Sequence, residues 1–321
     1  MTDRYARQTI LPAVGEAGQV RLAASSVLVV GAGGLGCPVM QYLAGAGVGG
    51  LAIVDHDAIE ESNLHRQPLY GMADIGKPKA EVARASLLRL NPGIRVDALA
   101  ERLTPQNAAR LVAGVDVVVD AADSFAVTYM LSDACHALAK PLVSASVIGT
   151  TGYAGAFCGG GPSYRAVFPE VSVDGGTCDS VGVLGTAVAV LGGLQAHLAL
   201  HLLLGLEPTA LGRVVTFDAH RISFGGFGFA GSPEPDAFVP FIAAAEVTAA
   251  DLVVDLRSLA EAPLSPFPGA RRLEVDCIEA VLAEPAADRI VLACRSGQRA
   301  LMAADRLRGC GRSNLALVAL G

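Results

Sequence analysis

The sequence predicts an α/β protein: a Rossmann-like mixed sheet with helices on both faces, followed by a small C-terminal α/β unit. Three observations carry this. Val27 to Val30 is a short apolar run that breaks at once into Gly31, Gly33, Gly34 and Gly36. A second run, Leu51 to Val54, ends in Asp55 after the roughly 20-residue spacing of a strand–helix–strand unit. Short parallel-type runs then recur late in the chain, at Leu252–Leu256 and Ile290–Ala293, and a length of 321 residues is enough for two domains.

The first of these stretches organises the rest. Glycines after a strand let backbone N–H groups approach an anion, and a helix beginning near Leu35 turns its positive end toward it. A carboxylate at the tip of the next strand, Asp55, stands where ribose hydroxyls are accepted. Dinucleotide-dependent dehydrogenases and adenylating enzymes share this pattern, so it specifies a nucleotide and not a reaction.

Composition narrows the setting. Apolar residues make up 52% and charged residues 17%, which fills a large core. A net charge of −7 with no run of Lys or Arg argues against a nucleic-acid groove. Seven cysteines at irregular spacing, without a CxxC pair, do not make a secreted disulfide framework, and MTDRYARQ has no apolar signal core. A reducing cytoplasm is expected. Val181–Leu206 carries no formal charge and is long enough to span a bilayer, but its Gln195, His197, His201 and glycines fit a buried or dimer-interface helix better. No membrane association is expected.

In chain order, Arg4-Tyr5-Ala6-Arg7-Gln8 reads as a solvated arm ahead of an amphipathic patch ending at Leu22. After Asp55 comes the polar cluster Ser62-Asn63-Leu64-His65-Arg66-Gln67, then Lys77-Pro78-Lys79 and a helix from Lys79 to Leu90 with Val82, Leu87 and Leu90 inward. Asn91-Pro92 stops it. A guanidinium and an ammonium at one phosphate site neutralise developing charge. Val115–Asp120 forms a further strand running into DAADSF, which puts Asp123 on the carboxyl edge of the sheet, where a carboxylate facing a triphosphate pairs with Mg²⁺. Pro141–Val147 is another strand, and the glycines through Gly161 suggest turning strands.

RYARQ, GAGGLG, VDHD, SNLHRQ, GKPKA, DAADSF, KPLVSAS and GVLG follow one another in an order that resembles the MoeB/ThiF family, bacterial relatives of ubiquitin-activating enzymes. The resemblance runs from Arg4 to about Phe224. It implies ATP- and Mg²⁺-dependent adenylation of the C-terminal Gly-Gly carboxylate of a ubiquitin-like sulfur-carrier protein. It places Gly31, Gly33 and Gly34 at the phosphate turn, Asp55 at the ribose, and Asn63, Arg66 and Lys79 at the phosphates. Asp123 would hold Mg²⁺, and Asp57, Ser62, Gln67 and Ser124 join the nucleotide-contacting positions. Arg7 would reach ATP bound by the other subunit of a homodimer, and Cys178, in a glycine-flanked loop, would take the acyl group or form an acyl disulfide. Relatives with two CxxC pairs hold structural zinc. Here the first pair's positions read Ser163-Tyr164-Arg165-Ala166 and no cysteine occurs near Gly231 to Pro240, so no zinc is expected.

FGFAGSPEPDAFVP reads as a linker. The expected organisation is therefore an adenylating domain over 1–226, a linker over 227–245 and a second domain over 246–321. VVDLRS, FPGARRLEV and CRSGQRA resemble a short rhodanese-like sulfurtransferase domain. Cys294 at a strand-to-helix turn, with Arg295, Ser296, Gly297, Gln298 and Arg299 around it, reads as an accessible, stabilised thiolate able to carry a persulfide supplied by a donor such as a cysteine desulfurase. Two other readings are weighed: an NAD(P)-dependent oxidoreductase, which leaves Arg7, Asp123 and the Cys294 loop idle, and a carrier-binding scaffold without catalysis.

Overall fold

The computed structural model describes residues 3–169, 182–284 and 287–321. One eight-stranded sheet has the order β3-β2-β1-β4-β5-β6-β7-β8, with β1 Ser26–Val30, β2 Gly50–Val54, β3 Arg95–Leu99, β4 Val117–Asp120, β5 Pro141–Ile148, β6 Thr151–Cys158, β7 Arg213–Asp218 and β8 Ser223–Gly228. The first five are mutually parallel, and β5 to β8 turn antiparallel. Strands β1 and β4 read as unbroken apolar runs because both faces are covered. The helices are α1 Ala6–Thr9, α2 Gly15–Ala24, α3 Gly36–Ala46, α4 Lys79–Leu90, α5 Pro105–Ala113, α6 Phe125–Ala137, α7 Tyr164–Val167, α8 Gly185–Leu204 and α9 Gln298–Gly309. Thr104 caps α5 through Asn107, with Pro105 at its first turn.

Helix α8 is long and apolar enough, by length and composition, to cross a membrane. Ala187, Val188, Leu191, Ala196 and Ala199 of α8 are buried, and the helix packs on α3 and the middle of the sheet. In α4 the inward face is Lys79, Ala80, Ala83 and Leu87; Leu90, expected inside, is 44% exposed. Leu87 is inward as expected and Val82 packs against the same core, so the difference lies at the helix end, where Leu90 turns outward.

A second sheet, parallel throughout, has the order β10-β9-β11-β12, with β9 Asp251–Asp255, β10 Arg271–Arg272, β11 Arg289–Cys294 and β12 Leu315–Ala319. Strand β8 reaches Gly228, inside the stretch read as linker, and Phe229, Val239 and Phe241 beyond it are buried. Phe241 bridges to Leu317 at the edge of the second sheet. Ala126, Tyr129 and Met130 of α6 share one buried cluster with Leu292, Ala300 and Leu317, so the connecting segment is packed rather than free.

Two buried polar anchors hold this arrangement. Arg165 donates to both carboxylate oxygens of Asp133, at 2.6 and 3.0 Å, and lies over the rings of Tyr129 and Phe238 at 4.6 and 4.3 Å. Ser163 donates its backbone N–H and its hydroxyl to Glu234, both at 2.6 Å. Thus the two segments in which a cysteine pair would be sought are joined by hydrogen bonds between Ser163 and Glu234. The other anchor is Asp120, fully buried at the end of β4. Its carboxyl accepts from Thr128 at 2.7 Å, Ser144 at 2.8 Å and the Ala122 N–H at 3.3 Å, while Gln195 of α8 donates to its carbonyl at 2.6 Å.

Removing one partner of a buried pair strands the other charge. Arg165→Leu is expected to cost about 3 kcal/mol, read from the urea midpoint, with Asp133→Leu in the same chain recovering most of it. Burial outweighs the three hydrogen bonds at Asp120 and lifts its carboxyl to about 6. A raised folded-state value means its stabilisation is full below the ordinary carboxylate range and is lost as pH rises through about 6. Between pH 5 and 7 the wild type should therefore lose about 1 kcal/mol more stability than Asp120→Asn, measured by urea denaturation at each pH.

Candidate active site

The glycine loop follows β1 at the carboxyl edge of the large sheet. Gly31 has φ +96°, and a Cβ there would lie 2.6 Å from the Ala121 carbonyl oxygen, so the turn excludes a side chain on two counts. A Cβ on Gly36 would collide with the Gly31 carbonyl, which fixes how closely α3 approaches the loop. Gly34 backs onto Val188 and the Arg66 carbonyl, whereas Gly33 meets only the Gln67 amide.

Asp55 organises this edge. One oxygen accepts from the Ala32 N–H of the glycine loop at 2.7 Å and the other from the Asp57 N–H at 2.8 Å. Tyr70 donates its hydroxyl to the Ala32 carbonyl at 2.7 Å. Burial raises the Asp55 carboxyl against these bonds and the nearby Lys79 charge. Each carboxylate oxygen retains a further acceptor site.

Lys79, only 6% exposed, pairs with Asp57 at 2.9 Å. Burial works against ionised Asp57, but the Lys79 hydrogen bond and charge, with His56 and Arg102, outweigh it and hold the carboxyl below its usual range. Asn63 is buried in a short turn, accepting from the Glu60 N–H at 3.3 Å and donating to Ser62 at 3.3 Å. Its carbonyl accepts from the Arg66 and Gln67 N–H groups. Arg66 folds back on the Ser62 carbonyl at 3.2 Å and contacts His65 at 2.8 Å. The Gln67 side-chain oxygen is buried without a partner.

Asp123 is exposed just beyond β4, and Ser124 precedes the first turn of α6, its carbonyl accepting from Thr128. Gly31, Gly33, Gly34, Asp55, Asp57, Asn63, Gln67 and Lys79 thus gather around one edge, with Asp123 and Ser124 on the next strand. Arg7 does not join them within its own chain. The neighbouring Gln8 donates to the Ala46 carbonyl, and the Tyr5 ring covers Gly47, which places Arg7 near the far end of α3, about 16 Å along the helix from the loop. Cys178 lies outside the described residues.

At the other sheet, Cys294 ends β11 and Gly297, at φ +88°, precedes α9. The Gly297 N–H donates to the Cys294 sulfur at 3.2 Å, and the Arg299 and Ala300 N–H groups and the Arg299 charge also favour the thiolate. Yet Cys294 is fully buried, and burial dominates, pushing its thiol up. The expected accessible, stabilised thiolate is corrected: the cradle is present, but cover outweighs it. Arg299 is committed to Glu261 at 2.6 and 2.8 Å, Gln298 starts α9, and Arg295 is exposed.

The two sites meet. The Ala126 N–H of α6, three residues past Asp123, donates to the Ser296 carbonyl at 3.1 Å. The Gly321 N–H donates to the Arg295 carbonyl, and the Arg102 guanidinium, which acts on Asp57, fills the space beside Gly321. The sequence reading missed Tyr70, Arg102, the Asp120 network and the Gln195 bond. Only Gln195 carried a signal, as an amide within an uncharged helix.

Residues 5–234 match the family model described as the ThiF family. A sulfur carrier protein adenylyltransferase of Thermus thermophilus is 46% identical over 230 residues, 69% of this chain and 85% of that protein. The adenylyltransferase and sulfurtransferase MOCS3 of Bos taurus is 48% identical over 224 residues, 69% of this chain and 49% of that protein. The chain therefore spans about half the length of the MOCS3 relatives it matches. Escherichia coli MccB, solved with ATP, superposes with a TM-score of 0.63 at 24% identity over 72% of this chain and 73% of that one, a likeness of fold alone. With more than half of its length matched by the family model and the first sheet carrying the glycine loop, Asp55 and Lys79 on one edge, the chain belongs to the ThiF family.

Proposed function

We propose that this ThiF-family enzyme uses ATP to adenylate the C-terminal carboxylate of a ubiquitin-like sulfur-carrier protein, and that Cys294 supplies the sulfur that follows. The observation that carries it is the convergence at one sheet edge of the glycine loop, Asp55 tied to that loop, and a buried Lys79 whose anionic partner is Asp57. The name of the Thermus thermophilus relative, which the chain covers over most of its length, supports the carrier as substrate.

The carrier carboxylate attacks the α-phosphorus, forming an acyl–phosphate bond while the bond to pyrophosphate breaks. Catalysis is positioning plus neutralisation of charge on the phosphates. The glycine loop turns N–H groups to the phosphates, Lys79 exchanges Asp57 for phosphate oxygens, and Arg66 swings off the Ser62 carbonyl to join it. Asp123, an exposed hard-oxygen donor with no hydrogen bond tying it down among the described residues, suits Mg²⁺, which would neutralise the leaving pyrophosphate. Ile10 and Leu11 between α1 and α2, Val20 on α2, Tyr42 on α3, and Leu184 and Val190 at the start of α8 are exposed, and these helices pack together. They support a homodimer in which Arg7 serves the partner's site.

For sulfur, the Cys294 thiolate attacks the outer sulfur of a donor persulfide, and the donor leaves as a thiolate. The terminal sulfur on Cys294 then attacks the acyl carbon and AMP departs, giving an acyl disulfide. A second thiol, with Cys178 the candidate, attacks the Cys294 sulfur and releases the thiocarboxylate. The resulting disulfide is reduced by an external dithiol. The second sheet, with its rhodanese-like CRSGQRA turn, supports this half of the reading.

ATP–pyrophosphate exchange should appear on adding a carrier ending in Gly-Gly, and Lys79→Met should lower it by on the order of 10²- to 10³-fold. Absence of exchange with any such carrier, or exchange indifferent to Lys79→Met, would overturn the reading.

A further inference from the structure

The Cys294 turn is covered by Ala126 of α6, from the side of the large sheet, and by Phe241, whose segment is bonded to β12 of the small sheet. A Cβ built on Gly297 would lie 2.8 Å from Cζ of Phe241 and 2.9 Å from Cβ of Ala126. Phe241 belongs to the connecting segment and Ala126 to the first turn of α6, and both are buried. The bond from the Ala126 N–H to the Ser296 carbonyl fastens the same turn to the large sheet's carboxyl edge. Under this cover Cys294 has no exposed surface. In contrast, Cys277 and Cys310 of the same unit are exposed.

The seam also limits the distance between the two sites. Asp123 is three residues from Ala126 and Cys294 two residues from Ser296. Fully extended, those stretches span about 11 and 7 Å, so with one hydrogen bond between them the two residues lie within roughly 23 Å in the same chain. A sulfur serving the adenylate is thus held at its own chain's nucleotide edge, but in a state that no outside sulfur donor reaches.

We propose that Ala126 is a positioning residue that clamps the Cys294 turn to the α6 end of its own chain, with the Phe241 ring completing the cover from the small sheet's own edge, and that Cys294 becomes accessible only when the C-terminal sheet lifts off this seam. The clamped state keeps the sulfur quiet beside the nucleotide edge, and the lifted state exposes it for loading and for delivery. The raised thiol of the clamped state agrees with this, because lifting removes the burial that opposes the thiolate and leaves the N–H cradle of α9 intact. The delivery role rests on the proposed function; the clamp does not, since thiol accessibility requires neither ATP nor a carrier.

The chain carries its own reporters for the test. Iodoacetamide alkylation of the full chain, followed by peptide mass spectrometry, times each cysteine separately. Cys310 and Cys277 report free access, and Cys135 on α6 and Cys158 on β6, both buried, report an intact large sheet. In the wild type Cys294 should react on the order of 100-fold more slowly than Cys310. Ala126→Arg, which drives a side chain into Gly297, and Phe241→Ala, which removes the ring above it, should each speed Cys294 at least about 10-fold while Cys135 and Cys158 stay protected. Native hydrogen exchange gives the same answer without substitution: the Ala126 amide should open at the rate at which Cys294 reacts, ahead of the amides deeper in α6. Alkylation of wild-type Cys294 as fast as Cys310 would overturn the clamp. So would a Cys294 that remains slow in both variants, because the turn would then be shielding itself.

Discussion

The hydrogen bond from the Ala32 N–H to Asp55 is the constraint on which the nucleotide edge depends. It crosses from the turn after β1 to the tip of β2 and so converts two parallel strands into one rigid rim. The loop cannot drift inward, because Gly31 already touches the Ala121 carbonyl and Gly36 the Gly31 carbonyl. Nor can it lift, because Tyr70 holds the Ala32 carbonyl from the opposite side. The cost is a carboxylate kept in a buried place. Two backbone donors and the proximity of Lys79 offset part of that cost.

That arrangement explains why the cation here is a lysine on the first turn of a helix. Lys79 is buried, and a bare ammonium there would be expensive. Asp57, two residues past Asp55 and positioned by the bond from its N–H to that carboxylate, is its counter-ion. The pair is asymmetric, since Asp57 is exposed and Lys79 is not. An incoming phosphate can therefore replace the aspartate without the ammonium moving. Arg66 differs, since it rests on a backbone carbonyl and a histidine rather than on a carboxylate.

How much of this was legible depends on range. The strand–glycine–helix pattern, Asp55 and the Lys79 helix follow from local rules, and the strands at β1, β2, β4 and β5 begin within two residues of where alternation and apolar runs place them. At α4, Leu87 and Val82 lie against the core as their spacing places them, Leu90 turns outward at the helix end, and the buried Ala80 and Ala83 carry little pattern. Tyr70, Arg102 and the Asp120 network act across long sequence separations, such as Gln195 to Asp120, and no spacing rule encodes a bond between elements that meet only after folding. The Cys294 error is of the same kind. The CRSGQRA turn describes the donors around the sulfur correctly, but says nothing about Ala126 and Phe241, which come from elsewhere in the chain.

Cradle and cover therefore act on the sulfur in opposite directions, and their sources differ. The N–H groups of Gly297, Arg299 and Ala300 belong to the turn itself and travel with it wherever the small sheet goes. The cover comes from α6 of the large sheet and from Phe241, whose segment is itself bonded to β12 of the small sheet. Any relative motion of the sheets alters the second contribution and leaves the first unchanged, so the thiolate gains stability as the seam opens. A cysteine whose reactivity is set by docking, and not by its own loop, is reactive where it must be loaded and quiet where it must wait. The Ala126 hydrogen bond, the Phe241 ring and the apolar cluster shared by α6 and the small sheet keep the turn covered while the sulfur stays a neutral thiol, because burying a thiolate is costly.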